Sequence, residues 1–333
     1  MTAAVTDTAG KPGSKGFSIR AIMREAGIGL ALIGLIIVFS LASEHFLTAN
    51  NITNILTQIT INLILAVGMT FVILIGGIDL SVGSVLALAA VVAGKAISMP
   101  GLGPAEAIAL AVLAAMVAGT LCGILNGVVS AWWGLPSFII TLGMLNIARG
   151  AALQISDART IYSFPVEFNN FGSLTVWGLP VVFLVALGLA LVAWLVLSRT
   201  VFGRLIYGLG NSEEAVRLAG HSVFWLKVAA FTICGFTAGI AAIIYMARLN
   251  IASPIAGSGF ELNAIAAVII GGTSLSGGRG SVLGTLLGAF IIGVLANGLI
   301  LLGLSDFMRQ MITGVVIIVA VILDHYRAKL TKG

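Results

Sequence analysis

Charge is scarce in this chain. Only 9% of its 333 residues are Asp, Glu, Lys or Arg and 59% are hydrophobic, against about 25% and about 45–50% in a soluble domain, so a water-soluble globular protein is excluded. Histidine and cysteine are nearly as sparse, at three and two. His45, His221 and His325 stand far apart at run ends or in loops, and neither a His-Glu-x-x-His segment nor a Cys-x-x-Cys pair occurs, which removes the usual metal-ligand spacings. Cys122 and Cys234 lie deep in apolar runs, the setting of small core residues rather than of a disulfide. A phosphate-binding loop is missing too: Gly10-Lys11 and Gly94-Lys95 are followed by Pro12 and Ala96, where that loop needs Ser or Thr. Clustered acids or histidines, which an intramembrane enzyme needs, are absent, so the chain reads as a non-enzyme. The 17 Lys and Arg against 12 Asp and Glu are an excess that membrane loops carry, and they do not call for nucleic acid.

What is abundant is apolar sequence of spanning length. A crossing helix takes about 20 residues, and apolar runs fall at 26–43, 59–75, 82–99, 105–130, 137–155, 177–197, 228–247, 261–271, 281–302 and 307–323. They predict an all-α polytopic membrane protein of about ten transmembrane helices. The first run follows a basic segment, as in a signal peptide, but it is too long for one and meets no small-residue cleavage site, so it reads as the first span. The 261–271 run is too short to cross alone. It needs residues 256–260 or a re-entrant geometry shielded by protein, because bare backbone amides are costly in lipid.

Ten crossings put the tails 1–25 and 324–333 and the polar segment 198–227 on one side of the transmembrane domain 26–323. Twelve of the seventeen basic residues lie in those regions and in the turn 272–280, which makes that side cytoplasmic. Lys95, Arg149, Arg159, Arg248 and Arg309 are expected at outer ends or outside. Trp132-Trp133 before Gly134-Leu135-Pro136 reads as an interfacial pair on a tight inner hairpin, and 156–175 as the largest outer loop.

Glycine, at 42 residues, is nearly twice as common as the ~7% usual in proteins. Part of it falls in an internal repeat: Ile75 to Gly83 matches Ile270 to Gly278 at six of nine positions, and each copy is followed within three residues by Ser-Val-Leu. Repeated halves with broken helices are common in transporters. Asp79, inside the first copy, is the one acid expected at membrane depth. It either caps the following helix or serves the pathway; no second membrane acid or histidine stands by to relay a proton. Gln58, Thr60, Asn62, Thr70, Asn126, Thr141, Asn146 and Asn297 put uncharged hydrogen-bonding groups inside spans, suited to a polyol or to bonds between helices.

Residues 211–220 encode a short helix. Asn211 is a cap candidate with Glu214 three residues on, and Gly220 stands at the stop position. Two turns are marginal in water, so the helix docks, with Ala215, Leu218 and Ala219 as apolar contacts, on a partner or on the lipid surface.

The run Gly76–Ser84, the loop Gly208–Gly220 and the run Glu261–Leu275 together resemble the permease subunit of ribose-type ABC importers, over nearly the whole chain. The resemblance implies a multi-pass homodimer in the bacterial inner membrane, with a cytoplasmic ABC ATPase subunit and a periplasmic sugar-binding protein as partners. ATP and Mg then belong to the ATPase, and this chain holds no cofactor. Asn211, Ser212, Glu213, Glu214, Ala215, Arg217, Leu218 and Gly220 become the coupling helix, although the loop follows the Glu-Ala-Ala…Gly pattern of importer permeases only loosely. Gly76, Gly77, Asp79, Ser81, Asn62, Asn126, Thr141, Asn146, Gly271, Gly272, Thr273 and Ser274 become path or gate residues. Arg149, Arg248 and Glu261 are expected as binding-protein contacts or interfacial anchors. The ten-span plan resembles the vitamin-importer permease fold, and the implied substrate is ribose or another pentose, with myo-inositol next. An ion-coupled or facilitative carrier or channel is the alternative.

Overall fold

The computed structural model describes the backbone of residues 19–330 and the side chains of residues 27–322. The tails expected at 1–25 and 324–333 lie outside it, save for the helical backbone of 19–25 and 324–330.

Each of the ten apolar runs is a helix: α1 (Ile19–Ala42), α2 (Ala49–Leu74), α3 (Val82–Ile97), α4 (Pro104–Trp133), α5 (Ser137–Ile155), α7 (Val181–Arg199), α10 (Val223–Leu249), α11 (Phe260–Ile270), α12 (Val282–Leu301) and α13 (Asp306–Leu330). Among the described residues six of these, α2, α4, α5, α7, α10 and α12, are long and apolar enough to cross a membrane. The protein is therefore a polytopic helical membrane protein. Among the described residues three shorter helices, α6 (Val166–Ser173), α8 (Val201–Asn211) and α9 (Glu213–Leu218), and four two-residue strands accompany them.

α2 is the axis of the bundle, buried almost continuously from Ile59 to Leu74. It starts ten residues before its apolar run because Thr48 caps the Asn51 amide (3.4 Å) and Asn51 is itself buried, paired with Asn297 of α12 through two 3.0 Å bonds. α10 lies against it, and α4 packs on α10 backbone to backbone: a methyl on Gly119, Gly123, Gly235 or Gly239 would overlap main-chain atoms of the facing helix. Such small-residue seams let membrane helices approach closely.

One end of the bundle carries β1 (Ile161–Tyr162) paired with β4 (Ile251–Ala252), β2 (Thr175–Val176) paired with β3 (Leu179–Pro180), and α6. The other carries α8, α9, the α4–α5 hairpin at Gly134 and the turns 75–81 and 271–281. We call them the strand end and the break end.

Candidate functional site

At the break end α2 stops at Gly76, whose φ of +76° favours glycine. The amides of Gly76 and Gly77 return to the carbonyls of Ile73 and Val72, both at 2.9 Å, and satisfy the helix end. The chain then runs back into the bundle along α5. The Ile78 amide donates to Ser137 Oγ (3.0 Å), the Leu80 amide to Thr141 Oγ1 (3.1 Å), and Thr141 Oγ1 to the Ile78 carbonyl (3.2 Å). Between these braces Asp79 is 1% exposed. Its Oδ1 accepts from the Ser81 amide (2.8 Å) and hydroxyl (2.6 Å), and its Oδ2 from Asn126 Nδ2 (3.4 Å). Asn126 Nδ2 also donates to Ser81 Oγ (3.0 Å).

The acid thus binds the backbone amide just ahead of α3, at the positive end of that helix. Gly76, Gly77, Asp79, Ser81, Asn126 and Thr141 form one cluster. Asp79, Ser81, Asn126 and Thr141 are each at most 1% exposed, and within this chain they brace the break.

The second break repeats the pattern. Gly272 takes a φ of +83°, and the amides of Gly272 and Thr273 return to Ile269 (2.7 Å) and Val268 (3.1 Å). The structural partner of Gly76 is therefore Gly272, one residue away from the sequence match, and Gly271 is an ordinary helix-end residue with φ −63°. Ser274 shapes the turn by donating its amide to the Arg279 carbonyl (2.8 Å). Gly278 donates its amide to the Leu74 carbonyl (2.8 Å) and Gly277 packs on Gly76. Both turns lie side by side at the break end, so the two motif copies are not inverted relative to each other.

α8 is wedged against both turns. A methyl on Gly210 would overlap the Leu74 carbonyl and the Gly278 amide, and Tyr207 Oη donates to the Gly280 carbonyl (3.0 Å). Asn211 ends α8, its Nδ2 donating to the carbonyls of Tyr207 (2.8 Å) and Gly278 (3.3 Å). The cap of the next helix is consequently Ser212, whose Oγ accepts the Ala215 amide (3.2 Å), and not Asn211. α9 holds to its own chain by Val216, buried in a cluster with Leu209 and Leu226 against which Ile75 also packs. Ala215, Leu218 and Ala219 are exposed, Leu218 by 79%. Glu213 pairs with Lys227 (2.8 Å) and Arg217 (3.2 Å), Glu214 with Arg217 (3.1 Å), and Gly220 ends the segment at φ +81°.

The weak 256–271 run resolves as an extended stretch followed by a half-length helix. From β4 the chain descends antiparallel to α3: Ala252 packs at Gly94 and Gly257 at Gly83, eleven residues lower on α3. α11 begins only there, so the first turns of α3 and α11 meet inside the bundle. Arg149 Nη1 donates to the carbonyls of Pro254 (2.7 Å) and Ala256 (2.8 Å) and fastens the stretch to α5. Glu261 Oε1 accepts the Gly259 amide (3.2 Å), and its Oε2 abuts Gly83. Arg248 reaches the Thr57 carbonyl (3.4 Å). All three side chains are partly exposed and make these bonds within the chain. Asn62 lines a cavity with Arg248, and Asn146 lies exposed on α5, beside Gly143 and Gly150.

Ser137, Gly210 and Asn263, the last lining the same cavity as Asn62 and Arg248, are the residues that sequence reasoning missed. Ser137, right after Pro136, carried a signal as a polar residue opening a span; the others are defined only by what packs on them.

A helical membrane chain with two helix breaks side by side at one end, both packed against α8, has the build of a transport subunit. The chain belongs to the family described as branched-chain amino acid transport system / permease component, which matches residues 51–321. It is 43% identical to the ribose import permease protein of Escherichia coli over 301 residues, 89% of this chain and 92% of that protein. It is 42% identical to the ribose import permease protein of Haemophilus influenzae over 93% of this chain and 96% of that one, and 42% identical to the D-allose transport system permease protein of Escherichia coli over 87% and 88%. No solved structure matches it. The chain is a permease and not an enzyme.

Proposed function

We infer that the chain is the transmembrane subunit of a binding-protein-dependent ABC importer for a monosaccharide, ribose first and myo-inositol next, driven by a separate ATPase. The relatives named for ribose and allose support the substrate class. The single observation that carries the mechanism is the exposed apolar face of α9, on a helix whose other face is packed against the α2 break.

In this reading α1, α2, α3, α4, α5, α7, α10, the 251–270 segment, α12 and α13 make ten crossings of the bacterial inner membrane, with both tails and the break end in the cytoplasm. Two copies form the path, and sugar-loaded binding protein docks at the strand end, on the loop 156–180. Leu218, Ala215 and Ala219 seat in a cleft of the ATPase. When ATP closes the ATPase pair, α9 moves; Val216 and Gly210 pass that displacement to Ile75, Leu74 and Gly278, and so to the two breaks. Hydrolysis, in the partner, resets them.

Pull-down of the tagged protein in mild detergent from native membranes, with mass spectrometry, tests this. Recovery of an ABC ATPase subunit is expected. Recovery of the chain alone, with sugar flux in ATP-free liposomes, overturns it in favour of a carrier or channel.

A further inference from the structure

We propose that the apolar crevice beneath α6 holds one acyl chain of a phospholipid whose headgroup is a primary ammonium, with Glu167 receiving that headgroup. The crevice has a volume of about 370 Å³. Ile108, Val112 and Met116 of α4 make one wall, Val185 of α7 the other, isoleucines of α10 the floor, and Phe168 and Phe171 of α6 the roof. It exists because α6 packs on both α10 and α7, while those two helices do not pack closely on each other among the described residues. Its mouth faces the membrane, since α4 and α7 are outer helices that bury only a minority of their spanning residues.

Depth and polarity select the occupant. From Ile108 to Met116 the wall runs about 12 Å at the helical rise per residue, close to the ~15 Å that one leaflet contributes to the hydrocarbon core. Trp177, 97% exposed on the β2–β3 turn that leads directly into α7, marks the headgroup level just above Val185. Water is a poor filling for such a space, because each molecule needs several polar partners and the walls are Ile, Val, Met and Phe side chains. A flexible acyl chain instead supplies the dispersion contacts that apolar walls seek. Glu167, in the first turn of α6, is the one charged residue lining the crevice, and among the described residues its carboxylate has no cation within ion-pair distance. A carboxylate only accepts hydrogen bonds, and an ammonium offers N–H donors where a trimethylammonium has none. Phosphatidylethanolamine is therefore favoured over phosphatidylcholine, and an anionic headgroup is repelled.

The test is photocross-linking of the full chain in phosphatidylcholine nanodiscs. They carry a trace of phosphatidylethanolamine or of phosphatidylcholine with a photoactivatable acyl chain, and adducts are mapped by mass spectrometry of chymotryptic peptides. Adducts of the phosphatidylethanolamine probe are expected to concentrate on α4 between Ile108 and Met116 and on α10 between Ile240 and Ile244. Glu167→Gln should lower them about threefold, the scale of one exposed charge pair, and leave those of the phosphatidylcholine probe unchanged. Val112→Trp, which fills the crevice, should remove them. Adducts spread evenly over the lipid-facing helices of the wild type overturn the site, as does equal labelling of the crevice by the two probes. Because the wild type alone gives these two results, a variant that fails to fold leaves the test intact. Weaker docking of the sugar-binding protein on Glu167→Gln, with lipid adducts unchanged, would assign Glu167 to that protein and overturn the proposal as well.

Discussion

The amide of Gly278, in the turn between α11 and α12, donates a 2.8 Å hydrogen bond to the carbonyl of Leu74, the last residue of α2. Two segments some two hundred residues apart are thus tied at the point where both change direction, and Gly210 of α8 lies against the same pair of atoms. A displacement of α8 cannot leave either break where it was, because backbone, unlike a long side chain, has no rotamer to yield.

Gly210→Ala is therefore expected to reduce sugar uptake by about tenfold or more, since forced overpacking costs about 1–3 kcal/mol. Gly208→Ala, two residues away on the same helix, meets only the end of the Val216 side chain at 3.3 Å. Its uptake should stay within about twofold of wild type. Equal effects of the two substitutions in a transport assay would show that the junction carries no motion.

Asp79→Ala removes the acceptor of the Ser81 amide, the Ser81 hydroxyl and one Asn126 bond in a site 1% exposed. Each buried donor left unpaired costs about 1–3 kcal/mol, so the melting temperature in detergent should fall clearly. Asp79→Asn keeps one oxygen for the Ser81 pair and should fall by less than half as much. A charge-dependent gate would instead lose uptake equally in both variants, since neither carries the charge.

Charge reversal at Glu214 probes docking and not folding. Its pair with Arg217 is exposed, with side-chain exposures of 63% and 61%, and such pairs contribute about 0–1 kcal/mol. Glu214→Lys should insert and melt normally yet uncouple ATP hydrolysis from sugar, and Leu218→Asp should abolish co-purification of the ATPase. Unchanged uptake in both variants removes α9 from the coupling path.

Arg149→Leu strips two carbonyls, Pro254 and Ala256, of their donor within the bundle. A destabilisation of about 2–4 kcal/mol is expected from the unpaired groups, with faster labelling of a cysteine placed at Ser258. A neutral effect on melting would mean that the extended stretch holds without this clamp.

Much of the fold was legible in the sequence, since every apolar run became a helix, and the Ile75 and Ile270 repeat marked the two turns that meet. What escaped has physical causes. The cap moved from Asn211 to Ser212 because Asn211 is drawn to Gly278 by α8, a helix that the polar 198–227 segment does not announce. The bonds that Arg149, Arg248 and Glu261 make within the chain were not legible, because a basic or acidic residue at a run end gives no sign of the backbone carbonyls and amides it will meet. Asn62 stood among several in-span amides, and nothing in its neighbourhood pointed to Arg248 and Asn263, which only the packing of α10 and α11 on α2 brings beside it.

The most direct test of the whole account is ATP-dependent uptake of radiolabelled D-ribose into proteoliposomes holding this chain, its ATPase and its binding protein. Uptake that requires all three components and stops without ATP is the expected result. Ribose flux carried by this chain alone, indifferent to ATP, would contradict it.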